Sequence, residues 1–425
     1  MLQSLVYVLE ALVLLGGQSS VFDVQVVVRT VDAEKRVLVV TAGQQDRRLR
    51  VPAGAKVLDA AGRELVEGLK AKGLREGARI TIISGLKGNR PVIQAIRLGW
   101  KGVPFTAADS GQQDTSSLLP LTDLGEGEYK GFPGGLYPDG ANTRPAAHEA
   151  AGVALAGRVQ PLDAWGESDL DGKIVLLGIG FSNAMQAFDG LMQVARADQE
   201  LNPQVVLVNG AAGGMAASLI QDPNDRRTGA KYWATVDDRL RTVEVTRAQV
   251  QVVWIKETDL APHAGGFPRY IETLLMELKN IVQILPARFP NLKLAYFSSR
   301  TYGGWAIRPS GGDPGNSEPF SYESGFAVKW LIELQLQGDL ALNFDPLKGP
   351  VQAPWLSWAA YLWTNGSNPR NDGVFFVYGD FSDKDHMHES PAGQQKVGNL
   401  LLEFFKADRT TRPWFVRPKA PGASQ

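Results

Sequence analysis

Continuous apolar runs separated by helical stretches constrain the fold of the last two thirds of this chain more than any other feature. Runs that are apolar at every position are typical of parallel strands covered on both faces. The clearest helical stretch, residues 268–287, has proline in its first turn and apolar side chains at helical spacing. This alternation predicts a three-layer α/β/α sandwich with a parallel, flavodoxin-like sheet. The expected strands are residues 174–178, 205–208, 250–255, 292–297 and 374–378, and further helices are expected at 146–156, 323–337 and 392–406.

A different pattern precedes this region. Residues 21–99 contain short β-rich runs separated by turn signals, which predict strands at 22–30, 37–41, 48–51, 79–84 and 92–98. Several short strands so closely spaced are typical of a small β-barrel. Because the segment lacks a basic stripe and an aromatic platform, we interpret it as an accessory or interaction domain rather than a nucleic-acid binder.

The remaining boundaries follow from composition. Residues 1–20 resemble a signal peptide, which predicts a secreted or periplasmic protein, although an amphipathic helix packed on the domain is the alternative. Glu10 interrupts the apolar run, so stable membrane insertion is not expected. Residues 100–128 are predicted to be a linker, 129–410 the α/β domain and 411–425 a tail.

Charge and cysteine content exclude several functions. Lysine plus arginine (44) nearly balances aspartate plus glutamate (45), so no strong field favours nucleic acid as a partner. The chain has no cysteine, which excludes disulfides, thiolate metal sites and a cysteine nucleophile. The oligomeric state is left open.

One serine and one late histidine stand out chemically. Ser182 follows an apolar strand on a tight turn before a predicted helix, where its hydroxyl and backbone N–H can meet the same substrate atom. His388 lies three residues after Asp385, a spacing that lets one carboxylate orient the imidazole. Asp383 is the alternative carboxylate. Two other interpretations stay open: a metal site built with His386, and a helix cap formed by His388.

The turn Gly180-Phe181-Ser182-Asn183, the glycine-rich segment 208–214 and the late Asp385-x-x-His388 resemble the SGNH/GDSL hydrolase superfamily. The resemblance covers roughly residues 134–406. It implies that backbone N–H groups of Ser182 and of Gly210 or Gly213 bind an oxyanion; the alternative for the glycines is a turn that only permits close packing. The family's third block departs from the pattern.

In that third block the expected asparagine is missing, and Glu257 or Thr258 is nearest to its place. We expect Lys256 either to supply a charged oxyanion donor or to form a salt bridge with Glu257 or Asp259. The departure makes an inactive member of the family a serious alternative.

The predicted substrate-binding side chains are Arg300, Tyr302, Trp305 and Glu323, because aromatic faces and charges of this kind suit a sugar ring; a place in the ordinary core is the alternative. The sequence therefore predicts a serine ester hydrolase, a carbohydrate acetyl or acyl esterase, with Ser182 as nucleophile, His388 as base and Asp385 orienting His388. We expect a small-molecule or glycan ester as its partner, and no metal or organic cofactor. The alternative is a catalytically inactive glycan-binding or adhesion protein of the same fold.

Overall fold

The computed structural model describes residues 21–42, 45–59, 63–87, 90–98, 115, 117–307 and 315–418. The chain divides into two compact units, Met1–Gly111 and Gln112–Gln425. The predicted signal peptide and most of the predicted linker lie outside the described residues. None of the helices in the described ranges combines the length and apolarity that crossing a membrane requires.

The first unit contains a six-stranded sheet, whose strands are β1 Val21–Asp32, β2 Val37–Ala42, β3 Gln45–Arg50, β4 Lys56–Leu58, β5 Arg79–Lys87 and β6 Arg90–Leu98. The strand order is β3-β2-β1-β5-β6-β4, and all neighbours are antiparallel except β4 and β6. Its buried core includes Val28, Leu38, Ile80 and Ile96. The five predicted strands all form, and a short strand joins them. Closure of this sheet into a barrel stays a prediction.

The second unit is organised around a five-stranded parallel sheet, whose strands are β9 Ile174–Gly180, β10 Val205–Asn209, β11 Val250–Lys256, β12 Leu294–Phe297 and β13 Trp355–Trp358. A small hairpin, β7 Glu128–Tyr129 and β8 Phe132–Pro133, precedes them. The strand order in the parallel sheet is β10-β9-β11-β12-β13. In chain order the sheet runs second, first, third, fourth, fifth, as in flavodoxin-like folds. The strands β9, β11, β12 and β13 are buried at every position, so both faces of the sheet are covered.

Helices connect and cover these strands. They are α1 Leu121–Leu124, α2 Ala146–Ala156, α3 Ser182–Ala195, α4 Ala217–Ile220, α5 Gly229–Thr242, α6 Arg269–Arg288, α7 Phe320–Leu336, α8 Pro391–Ala407 and α9 Arg412–Phe415. The long α6 begins after Pro268 and buries a stripe that includes Leu274, Leu278 and Ile281. Helix α3 packs on α8, and α6 packs on α7.

One expectation about this unit, the position of its fifth strand, is wrong. The predicted strand at 374–378 is irregular chain leading into a single turn at Tyr378–Asp380, and the fifth strand is instead Trp355–Trp358, in register with β12. Leu118 and Leu121, in the last part of the predicted linker, are buried in the main core, and the bounds of the linker stay a prediction. A four-residue apolar run is too short for its sequence to distinguish an edge strand from a loop.

Candidate active site

Ser182 lies where the central strand β9 meets helix α3. Gly180 ends the strand with φ of +144°, and a Cβ there would lie 2.3 Å from the Lys256 carbonyl oxygen, so only glycine fits this turn. Phe181 is extended and precedes the helix, which begins at Ser182. The backbone N–H of Ser182 is therefore among the first in the helix, which have no partner within it. Both this N–H and the serine hydroxyl lie just beyond the carboxyl end of β9.

Two side chains from the loop before α8 complete a hydrogen-bonded chain with Ser182. The Nε2 atom of His388 lies 2.7 Å from the Ser182 Oγ, and its Nδ1 atom lies 2.6 Å from an Asp385 oxygen. The other Asp385 oxygen accepts hydrogen bonds from the backbone N–H groups of Met387 and His388, each 3.1 Å long. Backbone hydrogen bonds within the loop thus hold the Asp385 carboxylate in place, and the carboxylate in turn orients the His388 imidazole.

The electrostatics of Asp385 favour its ionised form. Partial burial raises the pKa of this carboxyl, but the hydrogen bonds from the His388 ring and from the backbone N–H groups of His388 and Met387 outweigh burial and hold its pKa below the usual value. A carboxylate in this state accepts the Nδ1–H of His388, which leaves Nε2 to face Ser182.

The close approach of helices α3 and α8 explains how residues 206 positions apart meet. A Cβ on Gly190 would lie 2.0 Å from the Gln394 carbonyl oxygen, and a Cβ on Gly398 would lie 2.4 Å from the carbonyl group of Gly190. Helix α3 begins at Ser182, and helix α8 follows His388 directly after its cap, Ser390. The glycine contact therefore sets the distance between the two side chains.

A buried polar network adjoins Ser182 and His388, and it includes Asn183 and Glu389, the residues that directly follow them in the sequence. Asn183 donates to the Met387 carbonyl oxygen over 2.8 Å and accepts from Arg300 over 2.8 Å. Glu389 accepts from Lys256 Nζ over 3.2 Å, and both of these side chains are fully buried. Asn183 was noted only as part of the turn at Ser182, and no sequence pattern pointed to a role for Glu389.

The structure contradicts both sequence interpretations of Lys256. Its ammonium group is occupied by Glu389 and by the Asn183 carbonyl oxygen, 3.3 Å away, and its ion-pair partner is neither Glu257 nor Asp259. Burial lowers the pKa of Lys256 to about 8 against the opposing attraction of Glu389. Held in this way, the buried ammonium connects strand β11 to the loop that carries His388.

One of the two predicted oxyanion glycines is also excluded. The Gly210 N–H donates to the Gly178 carbonyl oxygen over 2.8 Å, which continues the pairing of β10 with β9, so it is not free for a substrate. Gly213 is exposed, and no described residue accepts a hydrogen bond from its N–H. Of the two, Gly213 keeps an available donor.

The four predicted substrate-binding side chains are all buried. Arg300 is 2% exposed, with its guanidinium 5.0 Å from the centre of the Phe181 ring. Tyr302 and Trp305 pack edge to face, 4.8 Å apart. Glu323 accepts hydrogen bonds from Tyr129 and Lys130 at the hairpin, and its side chain is fully buried. Their burial is what the alternative interpretation, a place in the ordinary core, predicts, and contact of these side chains with a sugar stays a prediction.

His386, the other histidine of this loop, contacts different residues from His388. His386 has φ of +48° and stacks on Tyr378, whose hydroxyl lies 2.6 Å from His386 Nε2. His388 instead faces Ser182 and Asp385, so the two imidazoles do not converge on a metal. Asp385, rather than Asp383, is the carboxylate that contacts His388.

Comparisons with known proteins give weak similarities only. No family model matches the chain, and a search of curated proteins finds no match. A GDSL-like lipase from Parabacteroides merdae is similar at 14% identity and a TM-score of 0.29, covering 55% of this chain and 96% of that one. A carbohydrate acetylesterase from Xanthomonas citri is similar at 12% identity and a TM-score of 0.29, covering 91% of this chain and 68% of that one. Similarity this low leaves the function to be inferred from the geometry of the site.

Proposed function

We propose that this protein is a serine hydrolase of carboxylic esters. The observation that carries the proposal is the unbroken hydrogen-bonded chain from Ser182 Oγ through His388 to Asp385, with contacts of 2.7 and 2.6 Å. A nucleophile in contact with a base, and a base in contact with an orienting carboxylate, is the arrangement that acyl transfer by serine requires.

In the proposed reaction Ser182 Oγ attacks the ester carbonyl carbon while His388 Nε2 takes the hydroxyl proton. The tetrahedral intermediate collapses as the bond to the alcohol breaks, and His388 returns the proton to the departing alkoxide. A water molecule then repeats the sequence on the acyl-serine and releases the carboxylic acid. Asp385 holds the Nδ1–H of His388 throughout and stabilises the imidazolium that forms twice.

The negative charge on the carbonyl oxygen needs donors aimed at it. We assign this role to the backbone N–H groups of Ser182 and Gly213. Neither N–H donates a hydrogen bond to a backbone carbonyl of the described residues. Removal of one such donor typically costs about 3–4 kcal/mol of transition-state stabilisation. Both donors belong to the backbone, so side-chain substitution leaves the oxyanion site in place.

The substrate class is a separate part of the proposal and rests on the family resemblance. Acetyl esters of sugars are the substrates to try first, although the four predicted sugar-binding side chains are buried. The rival function, a glycan-binding protein without catalysis, keeps the fold but gives no reason for a serine, an imidazole and a carboxylate to meet.

Kinetics on a panel of acetylated sugars and short-chain aryl esters tests this proposal. Wild-type protein should hydrolyse at least one aryl ester, and Ser182→Ala should reduce kcat by about 10³-fold or more without a shift in melting temperature. Ser382→Ala, a nearby serine outside the hydrogen-bonded chain, is the matched control and should keep turnover within a few-fold of wild type. An inert wild-type protein would favour the binding function.

A further inference from the structure

A second cluster of ionisable side chains lies after strand β11 and shares no residue with the hydrogen-bonded chain of Ser182, His388 and Asp385. Asp259 follows the strand, His263 lies four residues later in the loop, and Glu277 projects from the middle of α6. His263 Nε2 is 2.6 Å from an Asp259 oxygen and 3.3 Å from Glu277 Oε1. One ligand atom from each of the three lies within 4.8 Å of the others.

The burial of this cluster is unusual for its charge. The Asp259 and Glu277 side chains are 4% and 6% exposed, whereas that of His263 is 39% exposed. The Glu277 Oε2 atom is buried and receives no hydrogen bond from any described residue. Two buried carboxylates this close cannot both be ionised unless a cation compensates their charge; without a cation, the pair keeps a proton.

We propose that Asp259, His263 and Glu277 bind a divalent transition-metal ion, with Zn²⁺ as the best fit. One imidazole and two carboxylates are a donor set that zinc accepts, whereas Mg²⁺ and Ca²⁺ favour oxygen ligands alone. Metal–ligand bonds of about 2.0–2.2 Å in tetrahedral geometry place ligand atoms roughly 3.3–3.5 Å apart. The contact between His263 and Glu277 has this spacing already, and the one between His263 and Asp259 would open by less than about 1 Å.

Part of the ligand set is held in place before a cation arrives. Asp259 Oδ1 accepts a hydrogen bond from the Ser218 N–H over 3.0 Å, which leaves Oδ2 directed at His263. Glu277 is fixed by the buried face of α6. The cation would connect the loop after β11 to α6 and neutralise the two carboxylates, and the exposed side of His263 would give it access from solvent.

The competing state is a metal-free cluster that keeps a proton. Burial and the adjacent Asp259 raise the pKa of Glu277 to about 9, so at neutral pH a proton shared between the carboxyl groups would take the place of the cation. The two states make opposite predictions for titration with metal.

Isothermal titration of the chelator-treated full-length protein with ZnCl₂ decides between them. We expect one Zn²⁺ per chain and a melting temperature that rises with Zn²⁺. His263→Ala should weaken this binding by at least about 10-fold, because changes even to partners of metal ligands cost 10–100-fold. Glu277→Gln should do the same, whereas Glu272→Gln, the same substitution on the exposed face of α6, should bind as wild type does.

His263 is partly exposed, so His263→Ala gives a folded test even if Glu277→Gln does not fold. No saturable binding by wild type, or undiminished binding and an undiminished thermal shift in His263→Ala, would overturn the proposal in favour of the protonated cluster.

Discussion

Replacement of Lys256 by methionine tests the buried network behind Ser182 and His388. Methionine keeps the length and much of the volume of lysine but removes the ammonium group. Glu389 then loses its partner at 3.2 Å and keeps only two side-chain contacts of 3.4 Å each, from Asn183 and Thr301. Because both members of the ion pair are fully buried, water cannot replace the lost partner.

Breaking a buried ion pair from one side typically costs about 3–5 kcal/mol, and we expect Lys256→Met to lower the free energy of unfolding by this amount. The double variant Lys256→Met/Glu389→Leu should recover part of the loss, since it removes both members of the ion pair; the buried Arg300 then keeps Glu257 and Glu318 as its attractive partners. Lys406→Met is the control: Lys406 pairs with Asp198 at a partly exposed site, where we expect a loss of about 0–1 kcal/mol.

Denaturant unfolding followed by tryptophan fluorescence measures these differences. Nine of the ten tryptophans lie after residue 111, so the signal reports the second unit. A Lys256→Met protein with wild-type stability but turnover reduced by two orders of magnitude would refute this reasoning and return Lys256 to the oxyanion site.

Three further predictions follow from the geometry. Asp385→Asn should lower kcat by about 10²–10⁴-fold. Because the pKa of Asp385 in the folded protein lies below its usual value, the carboxylate stabilises the fold above about pH 3.8, and this stabilisation is lost as the pH falls through the lower folded pKa. The free energy of unfolding of the variant should therefore fall less steeply with decreasing pH than that of the wild type. Gly190→Ala should cost about 1–3 kcal/mol of stability and reduce turnover, as the added Cβ separates α3 from α8, whereas Gly157→Ala, whose nearest contacts are 3.6 Å away, should change neither in the same denaturation and kinetic assays. A protein that begins at Gln112 should fold and keep its activity, as measured by fluorescence and ester hydrolysis; aggregation would show that the units share a core.

The sheet was predictable where the apolar runs are long. Strands β9, β10, β11 and β12 appear within one or two residues of their expected bounds, because each run is continuous and bounded by glycine or polar residues. Strand β13, Trp355–Trp358, was not recognised because it is four residues long and identified only by its pairing with β12. The local sequence pattern carries no information about a pairing partner 61 residues away, the separation of Leu294 and Trp355.

The site was predictable only in part for the same reason. The spacing of Asp385 and His388 and the turn at Ser182 are local, and they identified the three side chains that the structure brings together. The partner of Lys256 is 133 residues away in the chain, so its sequence neighbours Glu257 and Asp259 gave a misleading choice. Gly210 was misjudged because backbone pairing extends one residue beyond the end of strand β10.

Covalent labelling with a fluorophosphonate tests the central claim most directly. An activated serine displaces fluoride and forms a phosphorus–oxygen bond, while the neighbouring imidazole takes the hydroxyl proton. Peptide mass spectrometry of the wild-type protein should therefore find a single adduct on Ser182, absent from Ser182→Ala and strongly slowed in His388→Ala. Wild-type protein that remains unlabelled, or that is labelled equally well in His388→Ala, would contradict the account.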